Sequence, residues 1–502
     1  MPDKRKIEKI MLLFPPVRLA RETMKEVSEP LGAAYLAAMV RNEVDVEIMD
    51  AVAESDYERY LGDDFTWYGS SLAEIRARIE KSKPDLVGMT CIFSSVFPVI
   101  REVCRELKKI DPGILTIAGG GYPSFLPQYC LAEPALDFIA LGEGETTLLE
   151  LIRRLRAGSS LSDLDGLAYK DDGRTVVHPK TKWIEDLDAI PFPARDLLPM
   201  DLYQKKGIPH SLSMASKKHA PLISSRGCTS HCIYCSSQNF WGNRYRLRSP
   251  QNVVDEIGEL INRWGIEEIQ FEDDNMTANR ERAKTIFREI ISRGYKIKFN
   301  YPNGVALWTL DRELVDLMVE AGCYEMTLAY ESGCQEVVRG IVKKPTNLAK
   351  AAEITEYIRA KNIRTDAFYM IGFPGETREQ IQETFSFADR MKTDFANFFI
   401  ANPLPGTEMY ETANSKGMLR DDFSFENLSY SRSPYNEKVF PKGELERLAG
   451  RQFLKYAFRS FLRNPLKWLK RFLPDLFFKR PAYALGILVR IWRRTVTVAR
   501  DS

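Results

Sequence analysis

Three cysteines within eight residues carry the clearest chemistry in this 502-residue chain. Cys228, Cys232 and Cys235 follow the spacing C-x-x-x-C-x-x-C, so one loop can present three thiolates to a metal. Three thiolates suit a [4Fe–4S] cluster whose fourth iron has no protein ligand. Zinc with His231 as a fourth ligand is the alternative, although structural zinc sites usually combine two separated ligand pairs.

Composition excludes several classes of protein. Apolar residues make up 44% of the chain and charged residues 28%, as in ordinary globular proteins and unlike disordered, collagenous or coiled-coil chains. Eight cysteines are too few for a disulfide scaffold, which favours a reducing compartment. The N-terminal apolar stretch is too short for a signal peptide, and no run of eighteen apolar residues could span a bilayer. We therefore expect a cytoplasmic protein.

Charge is unevenly distributed along the chain. The net charge is +2, yet residues 451–502 contain thirteen basic residues and two acidic ones. The acidic remainder argues against an extended nucleic-acid groove, and no nucleic-acid partner is expected. In the tail, Arg451, Lys455, Arg459, Arg463 and Lys467 recur every four residues between aromatic side chains. This pattern predicts short helices at an anionic membrane surface; a helix docked on the acidic body and a nucleic-acid patch are the alternatives.

Residues 1–165 alternate strand and helix patterns. Five short apolar segments read as strands, and they are residues 10–14, 44–49, 85–90, 115–118 and 138–141. Helical stretches between them predict a parallel, doubly wound sheet, whose ligands bind beyond the carboxyl ends of the strands. Glycines follow the last two strands, at Gly119, Gly120, Gly142 and Gly144, where they allow close approach of a ligand or simply form turns.

The rest of the chain divides into four further segments. Residues 166–215 are predicted to be a linker with a small hairpin. Residues 216–410 contain six strand–helix repeats, which predict a partial (β/α)6 barrel with its chemistry at the carboxyl ends of the strands. Residues 411–450 are expected to close the barrel, and residues 451–502 form the basic, aromatic tail.

Two resemblances emerge from these features. The cysteine motif, with Tyr234 before its last cysteine and β/α repeats after it, resembles the radical S-adenosylmethionine (SAM) superfamily. The first domain resembles the cobalamin-binding domain of corrinoid enzymes. Together they resemble the group that includes anaerobic magnesium-protoporphyrin monomethyl ester cyclase and the hopanoid methylases. This implies an α/β fold: a doubly wound, Rossmann-like cobalamin-binding domain, a TIM-like radical SAM barrel and a helical C-terminal region.

The resemblance also implies roles for individual residues. The three motif cysteines would ligate three irons of the cluster, and SAM would chelate the fourth. SAM contacts would comprise the adenine neighbours Tyr234, Gly372 and Pro374, the methionine contacts Glu272 and Asp273, and the ribose contacts Glu331 and Ser332. Cobalamin would lie against Gly119, Gly120, Gly142 and Gly144. Asp273 and Asp274 could instead cap a following helix. No catalytic residue beyond the cofactor ligands is assigned.

One departure from the corrinoid pattern concerns histidine. The loop after the first strand, residues 15–30, lacks the histidine that ligates cobalt in many corrinoid proteins. The four histidines of the chain are His178, His210, His219 and His231, all outside the first domain. Cobalamin would therefore bind here without an imidazole from this loop.

The resemblance implies that SAM is cleaved by one electron and that the resulting radical activates a carbon centre. The expected outcome is C-methyl transfer to a hydrophobic or lipid-like small molecule, with flavodoxin or ferredoxin as electron donor. Radical cyclisation or rearrangement without methylation, and a non-catalytic cobalamin- or zinc-binding regulator, are the alternatives. A tRNA methylthiotransferase would need a second cysteine cluster, and Cys91, Cys104 and Cys130 are too scattered to form one.

Overall fold

The computed structural model describes residues 7–466 and residue 469, except for residues 21, 22, 24, 63, 208 and 212. The predicted tail from residue 467 onward, apart from residue 469, therefore lies outside the described residues. The elements of the N-terminal domain position one set of candidate residues. In chain order they are β1 Lys9–Phe14, β2 Val17–Ala20, α1 Leu31–Val40, β3 Asp45–Asp50, β4 Glu58–Leu61, β5 Phe65–Tyr68, α2 Leu72–Ser82, β6 Leu86–Thr90, α3 Phe97–Ile110, β7 Leu115–Gly119, α4 Gly121–Phe125, α5 Pro127–Leu131, β8 Phe138–Ala140 and α6 Gly144–Ala157.

The predicted doubly wound sheet is confirmed. Strands β8, β7, β6, β1 and β3 lie side by side in that order, and all neighbouring pairs are parallel. Side chains of β1 alternate between two apolar clusters, with Ile10 and Leu12 in one and Met11 and Leu13 in the other. Both faces of the sheet are therefore covered, as a parallel sheet requires. A small antiparallel sheet of β2, β5 and β4 was not predicted, because its strands are only four residues long.

The predicted hairpin is present, and it extends the first sheet. Strands β9 Leu167–Asp171 and β10 Arg174–Val177 pair with each other, and β9 pairs antiparallel with β8. The chain then continues through the short helix α7 Met200–Lys206 toward the second domain. The connecting residues contact both domains: the Arg195 guanidinium binds Glu29 at 2.8 Å and Glu256 at 2.7 Å, and donates to the carbonyl of Pro221 at 3.0 Å.

The second domain contains the six strand–helix repeats. Its elements are β11 His219–Leu222, β12 Ser225–Arg226, α8 Ser237–Phe240, β13 Arg246–Leu247, α9 Pro250–Trp264, β14 Glu268–Phe271, α10 Arg280–Ser292, β15 Lys298–Asn300, α11 Arg312–Ala321, β16 Glu325–Glu331, α12 Leu348–Ala360, β17 Arg364–Ile371, α13 Arg378–Met391, β18 Phe395–Ile400, α14 Glu408–Ser415 and α15 Glu444–Arg463.

These strands form the predicted partial barrel. Strands β11, β14 and β15 are parallel neighbours, as are β16, β17 and β18. Parallel bridges from Phe299 to Cys323 and from Val305 to Leu328 join the two groups into one curved sheet. Outward residues such as Ile269 and Phe271 pack with the surrounding helices in a single apolar core. The fold class is thus confirmed, and the carboxyl ends of the six strands meet at one rim.

The described part of the basic tail packs on the barrel. Helix α15 begins at Glu444, before the predicted start of the tail, because apolar residues from Leu445 onward already face the core. The Tyr456 hydroxyl donates to the carbonyl of Thr393 at 2.9 Å, and the Phe453 and Phe395 rings lie 5.3 Å apart. One face of this part therefore packs on the barrel, as the docked-helix alternative expected, while Phe458 and Leu462 remain exposed. Among the described residues, no helix combines the length and the apolar character needed to cross a bilayer.

Arg195 provides the first test of this architecture. We expect Arg195→Ala to lower the free energy of unfolding by about 3–5 kcal/mol, since buried Glu29 loses its cation and buried Glu256 keeps only Arg248. The exposed ion pair between Arg41 and Asp196 is the matched control. Arg41→Ala should lower the free energy of unfolding by only about 0–1 kcal/mol. Denaturant unfolding followed by circular dichroism measures both; equal losses would contradict the assignment.

Candidate functional site

The cysteine loop lies between β12 and β13, at the carboxyl end of the first barrel strand. All three motif thiols are free and half-buried. The Gln238 side chain donates to the backbone carbonyls of Cys228 and Ser230 and thereby fixes the start of the loop. The Asn275 amide nitrogen lies 3.5 Å from the Cys228 sulfur and donates to it. Amide donors to sulfur are a common means of tuning iron–sulfur sites.

The surroundings of the motif cysteines disfavour charge on their thiols. His231, the alternative zinc ligand, is exposed, and within the described ranges no three His, Cys, Asp or Glu side chains converge closely enough to hold one ion. Burial raises the pKa of Cys232 and Cys235 to about 12, while the Lys344 ammonium acts in the opposite direction on Cys232. Thiols in such surroundings become stable thiolates when a bound cation compensates their charge.

Two adjacent aspartates after β14 have different environments. Asp273 is buried and accepts hydrogen bonds from the Ser224 amide, the Ser224 hydroxyl and the Ser225 hydroxyl. Asp274 is more exposed and accepts from the Ser237 hydroxyl at 2.9 Å and from the Trp241 indole nitrogen at 2.8 Å. It also contributes to the raised pKa of Cys235, of which burial is the main cause. Neither aspartate caps α10, whose N-cap is Asn279. Both carboxylates thus have protein partners, and Asp274 is the more exposed of the two.

Glu272 points into the barrel, because it alternates with outward residues of β14. Its carboxylate lies 3.0 Å from Nδ1 of His210 and accepts from the Asn303 amide at 3.2 Å. Desolvation alone would lower the pKa of His210, but the Glu272 charge raises it to about 9. His210 lies in the connector, far from β14 in sequence, and no motif pointed to this pair.

Glu331 and Tyr234 meet at the end of β16. Glu331 has a positive φ of 68° at a register irregularity of the strand, which is an unusual conformation for a non-glycine residue. The buried ammonium of Lys344 holds this conformation by donating to the Glu331 carboxylate at 2.6 Å and to the carbonyl of Ala329 at 2.8 Å. Burial and the neighbouring Glu331 carboxylate raise the pKa of Tyr234 well above its usual value. Sequence reasoning did not identify Lys344.

The remaining predicted SAM contacts make structural interactions. Ser332 is fully buried and shares a hydrogen bond with the Thr384 hydroxyl. Gly372 lies against Leu445 of α15, and its amide donates to Glu376 at 2.6 Å. Pro374 is half-buried in the same turn. These residues shape the rim of the barrel, and their contacts with SAM remain predictions.

Gly119, Gly120, Gly142 and Gly144, which we call the glycine cradle, lie in tight turns at the carboxyl ends of β7 and β8. Gly119 ends β7 and Gly144 begins α6. Gly120 has φ 101°, and a Cβ there would stand 2.7 Å from the carbonyl oxygen of Cys91. Gly142 has φ 61°, and its Cβ would meet the Trp183 ring at 2.9 Å. Only glycine fits both positions without displacement.

Ser124 connects these two glycine turns. Its hydroxyl accepts from the amide of Gly142 at 3.0 Å and donates to the carbonyl of Gly120 at 2.7 Å. Ile92 and Phe93, which follow β6 at the same edge, are 57% and 59% exposed. Exposed apolar side chains beside a glycine cradle suit a large, flat ligand. Sequence reasoning identified neither Ser124 nor this apolar pair.

An aromatic wall faces the inside of the barrel. Phe368 and Phe399 alternate with the outward core residues Tyr369 and Phe398, so they project inward. Their rings lie 5.3 Å apart, and Tyr430 stands 5.9 Å from Phe399. The barrel therefore presents two kinds of surface to its interior: this aromatic wall, and the polar side chains of Glu272, His210 and Asn303.

Comparison with known families accounts for both domains. The B12 binding domain family matches residues 17–152, and the Radical SAM superfamily matches residues 222–388. The two matched regions contain the glycine cradle and the cysteine loop, respectively.

Three known proteins are similar along most of the chain. Cytidylyl-2-hydroxyethylphosphonate methyltransferase of Streptomyces wedmorensis is 32% identical over 474 residues, covering 88% of each chain. Anaerobic magnesium-protoporphyrin IX monomethyl ester cyclase of Rubrivivax gelatinosus is 28% identical, covering 91% of this chain and 80% of that protein. The solved structure of the cobalamin-dependent radical enzyme OxsB, with aqua-cobalamin and SAM bound, has a TM-score of 0.70 at 17% identity, covering 93% of this chain and 70% of that one.

The cysteine assignment can be tested by metal content. After anaerobic reconstitution we expect four iron and four sulfide per chain, and substantial loss of both in Cys228→Ala, Cys232→Ala or Cys235→Ala, because each variant lacks one iron ligand. Cys323→Ala, at a buried cysteine away from the loop, is the control and should keep the full content. One zinc and no labile sulfide in the parent protein would refute the assignment.

Proposed function

The chain belongs to the cobalamin-binding branch of the radical SAM superfamily, and on this basis we propose that it transfers a methyl group to an unactivated carbon of a small molecule. Membership confirms the predicted cofactors, which are a [4Fe–4S] cluster, SAM and cobalamin. It also confirms an enzyme in place of the non-catalytic regulator. When bound, these groups supply one-electron cleavage of SAM and a methyl carrier.

The protein's own residues would hold these groups and orient the substrate. We assign the cluster to the three motif cysteines, with Asn275 as a donor to sulfur. Asp274 is our preferred carboxylate for the methionine end of SAM, because it is exposed whereas Asp273 is buried. Tyr234 and Glu331 would line the adenosine side, and the glycine cradle would hold cobalamin.

A contact between two aromatic rings supports the proposal that the two candidate cofactor regions act together. Helix α4 starts directly after the cradle glycine Gly120, and α8 follows the cysteine loop. Phe125 of α4 and Phe240 of α8 pack edge to face across the domain boundary, with ring centroids 6.5 Å apart. The cobalamin-binding edge and the cysteine loop therefore face a common space. Methyl transfer to carbon requires that proximity, since both cofactors must reach one substrate.

The barrel mouth supports a largely apolar substrate that carries a polar group. Phe368, Phe399 and Tyr430 would contact its apolar part, while Glu272, paired with His210, would contact the polar group. This keeps the predicted hydrophobic character and adds a polar anchoring point. An electron donor such as flavodoxin or ferredoxin would supply the reducing electron.

Anaerobic incubation with a reductant, methyl-deuterated SAM and a cell extract tests the proposal. We expect 5′-deoxyadenosine and an extract component that gains the deuterated methyl group, both lost in Cys232→Ala. A product that has lost hydrogen without gaining label would favour the cyclase alternative. Absence of 5′-deoxyadenosine under every condition would refute radical SAM activity.

For the C-terminal region we propose contact with an anionic membrane surface. Phe458 and Leu462 on α15, and Leu466 just beyond it, are 63%, 60% and 71% exposed at intervals of four residues. They lie away from the buried Tyr456 face, and exposed Arg451 and Lys455 share the helix with them. Each cation near an anionic leaflet contributes about 1 kcal/mol, and the apolar side chains can insert at the interface.

Vesicle sedimentation checks this proposal. We expect the full chain to sediment with vesicles containing anionic lipid and to remain in solution with neutral ones or at high salt. Phe458→Glu combined with Leu462→Glu should reduce sedimentation severalfold. Tyr60→Glu, at an equally exposed aromatic residue of the first domain, should leave it unchanged. Equal sedimentation of the double variant and the parent would contradict the role of α15.

A further inference from the structure

Four buried charged side chains connect the two domains beside both candidate cofactor loops. Arg226 donates to Glu143 at 2.7 Å and to Glu145 at 2.6 Å. Arg246 donates to both oxygens of Glu143, at 2.7 and 2.8 Å. We call Arg226, Arg246, Glu143 and Glu145 the interdomain latch; each is at most 6% exposed.

The latch residues lie next to both candidate cofactor loops in the chain. Glu143 and Glu145 belong to the turn that opens α6, directly after the cradle glycine Gly142. Arg226 and Arg246 are opposite each other in the two-stranded ladder of β12 and β13. The cysteine loop, residues 227–245, is the segment that connects these two strands. Both ends of that loop are therefore attached to one turn of the cobalamin-binding domain.

Aromatic rings enclose the latch and exclude water from it. The Arg226 guanidinium lies 5.6 Å from the Tyr35 ring and 5.5 Å from the Trp241 ring, and Arg246 lies 5.5 Å from Trp183. Trp183 is the ring against which Gly142 packs. Burial alone would raise the pKa of Glu143, but the two arginines lower it overall, so the carboxylate stays ionised. Removing one member leaves a buried charge without its partner, which is strongly unfavourable.

A second buried ionic contact between the domains serves as a comparison, because it lies away from both candidate cofactor loops. Glu29, bound to Arg195, also links the first domain to the connector and barrel at comparable burial. The Arg195 guanidinium that binds Glu29 also binds Glu256 of α9. None of these is in the glycine turn that opens α6 or in the cysteine loop.

We propose that the interdomain latch couples the two cofactor loops, so that local order in either loop requires order in the other. The four residues are positioning residues: they touch no reacting atom and fix where the cysteine loop stands relative to the cobalamin-binding turn. The purpose of the coupling rests on the proposed function, whereas the coupling itself is a property of the chain without cofactors.

Hydrogen exchange of the cofactor-free, full-length protein tests the coupling. In Glu145→Gln we expect amide exchange to accelerate about tenfold, or about 1.4 kcal/mol of local stability, both around residues 142–148 and across residues 227–245. Glu29→Gln, which removes a matched buried carboxylate, should accelerate exchange near residues 27–31 and 190–200 only. Acceleration confined to residues 142–148 in Glu145→Gln would overturn the proposal.

A second variant changes a latch residue that belongs to the barrel. Arg226→Lys keeps the charge but cannot bridge two carboxylates as a guanidinium does. We expect it to weaken cobalamin binding severalfold, measured by equilibrium dialysis of hydroxocobalamin against the cluster-free protein, although Arg226 belongs to the other domain. Unchanged affinity with a normal unfolding transition would contradict the coupling. Neither measurement uses SAM cleavage, so a failed activity assay leaves this inference intact.

Discussion

Buried charges must be paired, and in this protein several of the pairs cross the boundary between the two domains. Arg195 binds carboxylates of the first domain and of the barrel, and Arg226 binds two carboxylates of the turn that opens α6. An ionic contact between buried groups tolerates little displacement, because separated partners would remain desolvated without compensation. The relative orientation of the domains is therefore defined, and the ligand edges of both sheets are held toward each other.

The cysteine loop depends on that orientation and on hydrogen bonds to its backbone. A loop has no ladder of its own, so Gln238 satisfies two carbonyls at its start. Asp273 is buried and accepts from the neighbouring serines, whereas Asp274 is more exposed and accepts from Ser237 and Trp241. The two adjacent acids therefore differ in burial and in partners, although they follow the same strand.

The fold was largely predictable from local patterns. Short apolar runs separated by helical segments indicated both parallel sheets, because periodicity reflects burial on one or two faces. The small sheet of β2, β4 and β5 was missed, since its strands are short and carry charged residues such as Glu58 and Arg59. The basic tail was taken to begin at residue 451 because charge defined it, whereas helix α15 begins at Glu444 and its packing at Leu445.

The cysteine spacing, the glycine positions and the succession of strands along the chain are local features, so they could be read from a few neighbouring residues. The combination of two domain patterns also indicated the family. The three-dimensional arrangement was needed to show that Asp274 is more exposed than Asp273, that His210 pairs with Glu272, and that Arg226 reaches Glu143. The last two contacts join residues 62 and 83 positions apart. Local propensity carries no information about which distant charges become neighbours when two domains bury a common surface.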